Sequence, residues 1–165
     1  MIQQLFEISL VAVTLATGLV AGVFLTFSDF VMRALARAEP AAGIEAMQII
    51  NREVYRSLFM ALLIGLTIVS ILLAVAGIFL VGRDVALWLV GAAGAYIIGV
   101  MAITARKNVP MNQRLDRMEH RSADARAYWA TYTRDWTRWN HLRWVAGLAA
   151  AIGYFGATVT VAGQV

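Results

Sequence analysis

The side chains best suited to chemistry cluster where apolar runs begin or end. Asn108 and Asn112 bracket Pro110 in "RKNVPMNQRL" (106–115), directly after one of the most apolar stretches of the chain. Gln48 and Asn51 stand shortly before a second such stretch, Asn140 and Arg143 before a third, and Ser28 and Asp29 close a fourth. Such amides can end one helix and begin the next, or belong to a binding site. Trp129, Tyr132, Trp136, Trp139 and Arg143 recur at spacings of 3, 4, 3 and 4, which is one face of a helix. At 1.5 Å rise per residue the polar groups lie within about two to three turns of one membrane edge. The pattern predicts that Asn51, Asn108, Asn140 and Arg143 converge around a cavity walled by the Trp136 side of the last helix. The alternative is structural: Asn108 and Asn112 punctuate helices around Pro110, and the aromatic stripe is an interfacial belt. It leaves unexplained why four separate segments bring a polar group to one level.

Other chemistries find no residues. No phosphate-cradling Gly-x-x-x-x-Gly-Lys, no Gly-x-Gly-x-x-Gly and no Gly-x-Ser-x-Gly elbow occurs. No Glu is followed three residues later by His, as a di-iron bundle would want. The two histidines, His120 and His141, lie outside the apolar runs, where axial haem ligands are not expected. There are no cysteines, hence no thiolate metal site and no disulfide.

The elements that must position these groups are membrane helices. The 165 residues are 61% hydrophobic and 15% charged, with mean hydropathy +0.70. That departs from a soluble domain, which is about 25% charged. Four stretches lack Lys, Arg, Asp and Glu over about the ~20 residues a bilayer requires: Ile8–Ser28, Ser57–Gly82, Val85–Ala105 and Trp144–Gly163. The backbone must satisfy itself in lipid, so each is expected to be helical, within a single membrane domain over 1–165. The first is expected to be retained, since "MIQQLFE" has no basic residue of the kind a signal peptide carries. None of the spans holds an acidic residue, which argues against a proton-driven transporter.

Thirteen of the fourteen basic residues fall in the two long connections, and only Arg83 lies between spans two and three. The positive-inside rule then puts both long connections in the cytoplasm and both termini outside, in an inner or plasma membrane. The expected fold is all-α: an antiparallel four-helix transmembrane bundle, with helices one, two and four extended into the cytoplasm. Helix two is expected to begin near Ala41 behind Pro40, and helix four near Ser122. Gly82 is expected to end helix two and Asp84 to cap helix three. Gly18 with Gly22, Gly91 with Ala95 and Gly99, and Gly147 with Ala151 are candidate close-packing positions.

Four pieces carry a resemblance: "GLVAGVFLTFSDFVMRAL" (18–35), "GIEAMQIINREV" (43–54), "KNVPMNQRL" (107–115) and "WTRWNHLR" (136–143). In order and spacing the chain resembles the anthrone-oxygenase-like family of small four-helix membrane proteins, formerly catalogued as a domain of unknown function. Arg33 stands where the family pattern has Pro, and Met111 where it has Leu. On the match, Ser28, Met47, Gln48, Asn51, Asn108, Pro110, Asn112, Trp136, Asn140 and Arg143 carry over. The resemblance implies oxidation of an anthrone, or a related lipophilic phenol, by O₂ with no cofactor strictly needed. In that reading Asn51, Asn108, Asn140 and Arg143 serve the oxyanion, Asp29 the proton, and Gln48, Asn112, Tyr132, Trp136 and Trp139 the ring system. The competing readings are a non-catalytic membrane module that binds a lipid or quinone, an accessory subunit of a membrane complex, or a scaffold. Expected partners are membrane lipid and a lipophilic aromatic small molecule. A homo-oligomer is compatible with the sequence, and no nucleic-acid partner is called for.

Overall fold

A computed structural model describes residues 2–163, with side chains from Gln3 onward. The described residues form helices and contain no strand. In chain order these are α1 (Ile2–Thr26), α2 (Met32–Arg37), α3 (Pro40–Glu53), α4 (Leu58–Leu80), α5 (Arg83–Gly94), α6 (Val109–Asp116) and α7 (Ala123–Ala162). Wider π-helical turns join some of them into longer rods: Phe27–Val31 links α1 to α2, and Ala95–Ala102 with Thr104–Asn108 links α5 to α6. Four helices are thereby long and apolar enough to cross a membrane: Gln3–Arg37, Leu58–Leu80, Arg83–Asp116 and Ala123–Ala162. Only 17 to 39% of their most apolar windows is buried inside the protein. Leu5, Ile8, Leu15 and Leu19 of α1, and Leu72, Ile78 and Phe79 of α4, face outward. An outward apolar surface of this extent fits a lipid surrounding.

Two cores follow from the lengths. The first joins α1, α4, α5 and the C-terminal half of α7 through Leu10, Val20, Phe24, Leu66, Leu89, Tyr96 and Tyr154. Small residues set the helix spacing there. A β-carbon on Gly153 would sit 2.8 Å from that of Ala92, and one on Gly147 would sit 3.1 Å from that of Ala21. Gly99 is in similarly close contact with Ala146. Gly18, Gly22 and Gly91, by contrast, have open space where a β-carbon would go, so those candidate packing positions face no neighbouring helix. The second core gathers Met32, Ile44, Met47, Leu115, Ala125, Trp129, Tyr132 and Trp136, from α2, α3, α6 and the N-terminal half of α7. The 40 residues of α7 span roughly 60 Å, twice the ~30 Å hydrocarbon layer, so one helix carries both cores. It starts at Ser122, whose hydroxyl accepts from Ala125 N at 3.1 Å, in line with the missing breakers between there and Gly147.

Helix two is not the continuous element the sequence predicts. α3 begins as expected at Pro40, with the Glu39 carboxylate accepting from Ala42 N. It then breaks through a tight 3₁₀ turn at Val54–Arg56 into an extended Ser57. The Ser57 hydroxyl donates to Val54 O at 2.6 Å and accepts from Met60 N at 3.2 Å. It closes one helix and caps the next, a role Ser takes because its side chain competes locally with the backbone ladder. A second correction concerns the short hairpin. Gly82, not Asp84, occupies the N-cap of α5, and Asp84 lies within the first turn, where its charge favours the helix dipole.

Candidate active site

Pro110 does not end a helix. The chain runs helically through it into α6, because the π-helical turn Thr104–Asn108 immediately before it is wider. Val109 N reaches back five residues to Thr104 O, a register that relieves the clash a proline ring makes with the preceding turn. Asn108 is therefore no local cap. Its Nδ2 donates to the main-chain carbonyl of Trp136 on α7 at 3.2 Å, and the residue is 1% exposed. The Thr26–Met32 region uses the same device. Ser28 lies in the π-helical turn Phe27–Val31, and its hydroxyl accepts from Asn140 Nδ2 at 2.7 Å. The same Nδ2 donates to Phe24 O at 2.6 Å. Asn140 Oδ1 accepts from Arg143 Nη2 at 2.6 Å, and Arg143 Nη1 donates to Thr104 Oγ1 at 3.3 Å. Ser28, Thr104 and Asn108 all sit in π-helical turns, which recur at functional sites because they re-aim side chains.

A second chain of bonds fixes the polarity of two amides. Trp136 Nε1, which can only donate, gives its proton to Asn112 Oδ1 at 2.7 Å. Tyr132 OH donates to the same oxygen at 2.9 Å. The Tyr132 oxygen is then the acceptor for Asn51 Nδ2 at 3.4 Å. Tyr132 is fully buried and stacks between Trp129 and Trp136, with ring centroids at 5.5 and 6.2 Å. The order of donors thus leaves Asn51 its carbonyl oxygen and Asn112 its NH₂ group to offer elsewhere.

These residues surround a cavity of about 370 Å³ between α1, the α3–α4 break, the α5–α6 rod and α7. Its walls are mainly apolar, with Phe24, Phe27, Met47, Phe59, Met60 and Leu63 among them. Asn51, Thr104, Asn108, Asn112, Trp136 and Arg143 supply the polar part. A cavity of this size with few polar groups is the usual form of a small-molecule site. Arg143 is its electrostatic centre. The residue is 5% exposed, and its guanidinium lies 4.2 Å from the centroid of the Phe24 ring and 5.1 Å from that of Trp136. Among the described residues no carboxylate pairs with it. Its Nε and the Oδ1 of Asn108 are buried without a hydrogen-bond partner.

The remaining sequence candidates are elsewhere. Asn140 stands behind Arg143 and orients it, without lining the cavity. Gln48 ties α3 to the end of α6 through Leu115 O and Met118 O, both at 2.8 Å. Trp139 lies under the Lys107 ammonium at 4.7 Å, away from the cavity. Asp29 is a correction: its side chain is 65% exposed and pairs with Arg33 at 3.1 Å, one turn on along the same helix face. Residues 28 and 29 are about 100° apart on a helix, so when Ser28 turns inward Asp29 turns out. Sequence reasoning missed Thr104, one turn before Asn108 on the same face, and Glu53, two residues beyond Asn51. The spacing to Asn108 was the signal for the first; Glu53, next to a helix break that no Gly or Pro marks, carried none.

Comparison with curated proteins and with solved structures returns no match. The family described as anthrone oxygenase matches residues 52–153, which take in the cavity-lining residues from Glu53 through Arg143 but not Asn51 or the α1 wall. That match covers more than half of the chain, and the protein belongs to the anthrone oxygenase family.

Proposed function

We propose that this protein oxidises a lipophilic anthrone or related phenol with O₂ at the cavity beside Arg143, using no cofactor in the electron transfer. The observation that carries the reading is the buried guanidinium without a carboxylate, set in an apolar wall. An unpaired buried cation is costly, on the order of several kcal/mol, unless an anion joins it. An enolised anthrone is such an anion, and its flat body suits the surrounding aromatic and aliphatic walls. The C–H proton leaves the substrate and its electron pair stays in the ring system as an enolate, whose oxygen Arg143 holds. The enolate passes one electron to O₂, and the radical and superoxide so formed join in a C–O bond. Loss of the second C–H proton with cleavage of the O–O bond yields the quinone carbonyl. The balance is a CH₂ group and O₂ going to C=O and water. Asn51 and Asn112, with an acceptor and a donor free, hold a ring hydroxyl or carbonyl in register.

The test is turnover by the purified protein in lipid nanodiscs. Oxygen uptake and quinone absorbance should rise well above the spontaneous oxidation of anthrone. Quinone binding without any rate above that background would overturn the oxygenase reading and leave a binding module.

The reading includes an orientation. The bundle is antiparallel, the second core and both long connections are cytoplasmic, and the termini are outside. Thirteen basic residues in the long connections support it. A fluorescent reporter fused after the last residue is expected to stay dark, while one inserted between Met118 and Ser122 fluoresces. The reverse pattern would invert the topology.

A further inference from the structure

We propose that Glu53 is the base that takes the C–H proton, the role the sequence pattern gave to Asp29. The inference rests on the oxygenase reading above and adds a catalytic residue to it. Once Asp29 is placed on the outer face, the cavity wall holds one carboxylate, that of Glu53. No histidine lines the cavity, and the other titratable groups there are the phenol of Tyr55 and the guanidinium of Arg143. Neither is a carboxylate.

The position fits the role in three respects. Glu53 is the last residue of α3, immediately before the 3₁₀ turn and Ser57, and belongs to the cavity lining. Its residue is exposed, as are those of the adjoining Arg52 and Tyr55. A proton accepted there passes to water and need not remain in an apolar chamber. The carboxylate also has no ion-pair partner among the described residues. The cavity is thus polarised, with a buried cation on one wall and a hydrated anion at the margin. Removing a proton toward the margin while the charge left behind settles on the buried cation separates the two products of ionisation. The proton moves to the Glu53 carboxylate, the electron pair stays on the substrate, and the base is restored by release of the proton to solvent before the next turnover.

The experiment compares wild type, Glu53→Gln and Glu53→Asp in nanodiscs, with anthrone protiated or dideuterated at its CH₂ carbon. Binding of the product anthraquinone is followed in parallel by quenching of tryptophan fluorescence. General-base catalysis contributes typically 10²–10⁴-fold, so Glu53→Gln is expected to lose about that much in kcat. Anthraquinone binding should stay within about twofold, and Glu53→Asp should recover part of the rate. Two results would overturn the proposal. One is a Glu53→Gln protein with wild-type kcat and pH profile, which hands the proton to water while the Arg143 reading stands. The other is equal loss of quinone binding and turnover, which makes Glu53 a structural or binding residue. Wild-type protein no faster than spontaneous oxidation would remove the oxygenase reading itself, and the base with it.

Discussion

Arg143→Met is expected to lower the proposed turnover about 10³-fold and to leave a protein at least as stable as wild type. The two halves of this expectation have one origin. The guanidinium is buried against Phe24 and Trp136, with hydrogen bonds to Asn140 and Thr104. Neutral acceptors and ring faces compensate only part of the lost hydration. Methionine keeps the apolar stem and removes the uncompensated charge. The Asn140 oxygen loses its donor, at about 1–3 kcal/mol, against a relief of similar or greater size. Catalysis responds oppositely, because the charge acts on the transition state. Loss of one oxyanion donor typically costs ~10²–10³ in kcat, and a full cation in an apolar wall belongs at the upper end. Thermal unfolding in detergent and quinone formation in nanodiscs measure the two halves separately. A destabilised but active Arg143→Met protein would show that the arginine is a structural post.

Asn112→Leu is expected to do the converse and destabilise the second core strongly. Asn112 Oδ1 is the common acceptor for two buried donors, Trp136 Nε1 and Tyr132 OH. Tyr132 is fully buried and Trp136 is 5% exposed, so neither donor finds water without displacement of the core. Each orphaned donor costs about 1–3 kcal/mol, which makes roughly 2–6 kcal/mol for the pair. Loss of stability in chemical denaturation, with a weakened near-ultraviolet signal from the Trp129–Tyr132–Trp136 stack, is the expected result. An unchanged denaturation midpoint would mean that the two donors are rehydrated.

The sequence reveals depth along the membrane normal far better than it reveals direction around a helix. Charge-free windows located the four apolar helices, since a bilayer tolerates little else, and the breaker-free run after Ser122 located the start of α7. The polar groups at one level were legible for the same reason. Which of them share a cavity was not, because azimuth depends on helix phase. Each π-helical turn holds one residue more than the α-helical count allows, and shifts the phase downstream by about 100°. Asp29, inside the first of these turns, stands on the wrong side of its helix for the cavity, although its depth is right. The 3₁₀ turn at Val54–Arg56 escaped notice because no Gly or Pro marks it. What ends α3 is the serine hydroxyl of Ser57, a residue that sits in many helices without ending them.

The bonds that Asn140 makes to Phe24 and Ser28 join residues 116 and 112 positions apart in the chain. During synthesis α1 enters the bilayer long before the segment that answers its amide acceptors exists. The widened turn at Phe27–Val31 is then an unfinished socket, and the three earlier apolar helices can insert without closing the chamber. Only when α7 arrives do Asn140 and Arg143 lock α1 to the α5–α6 rod. The cavity therefore closes only once α7 has been made, and a nascent chain stalled before α7 would hold its earlier helices without it.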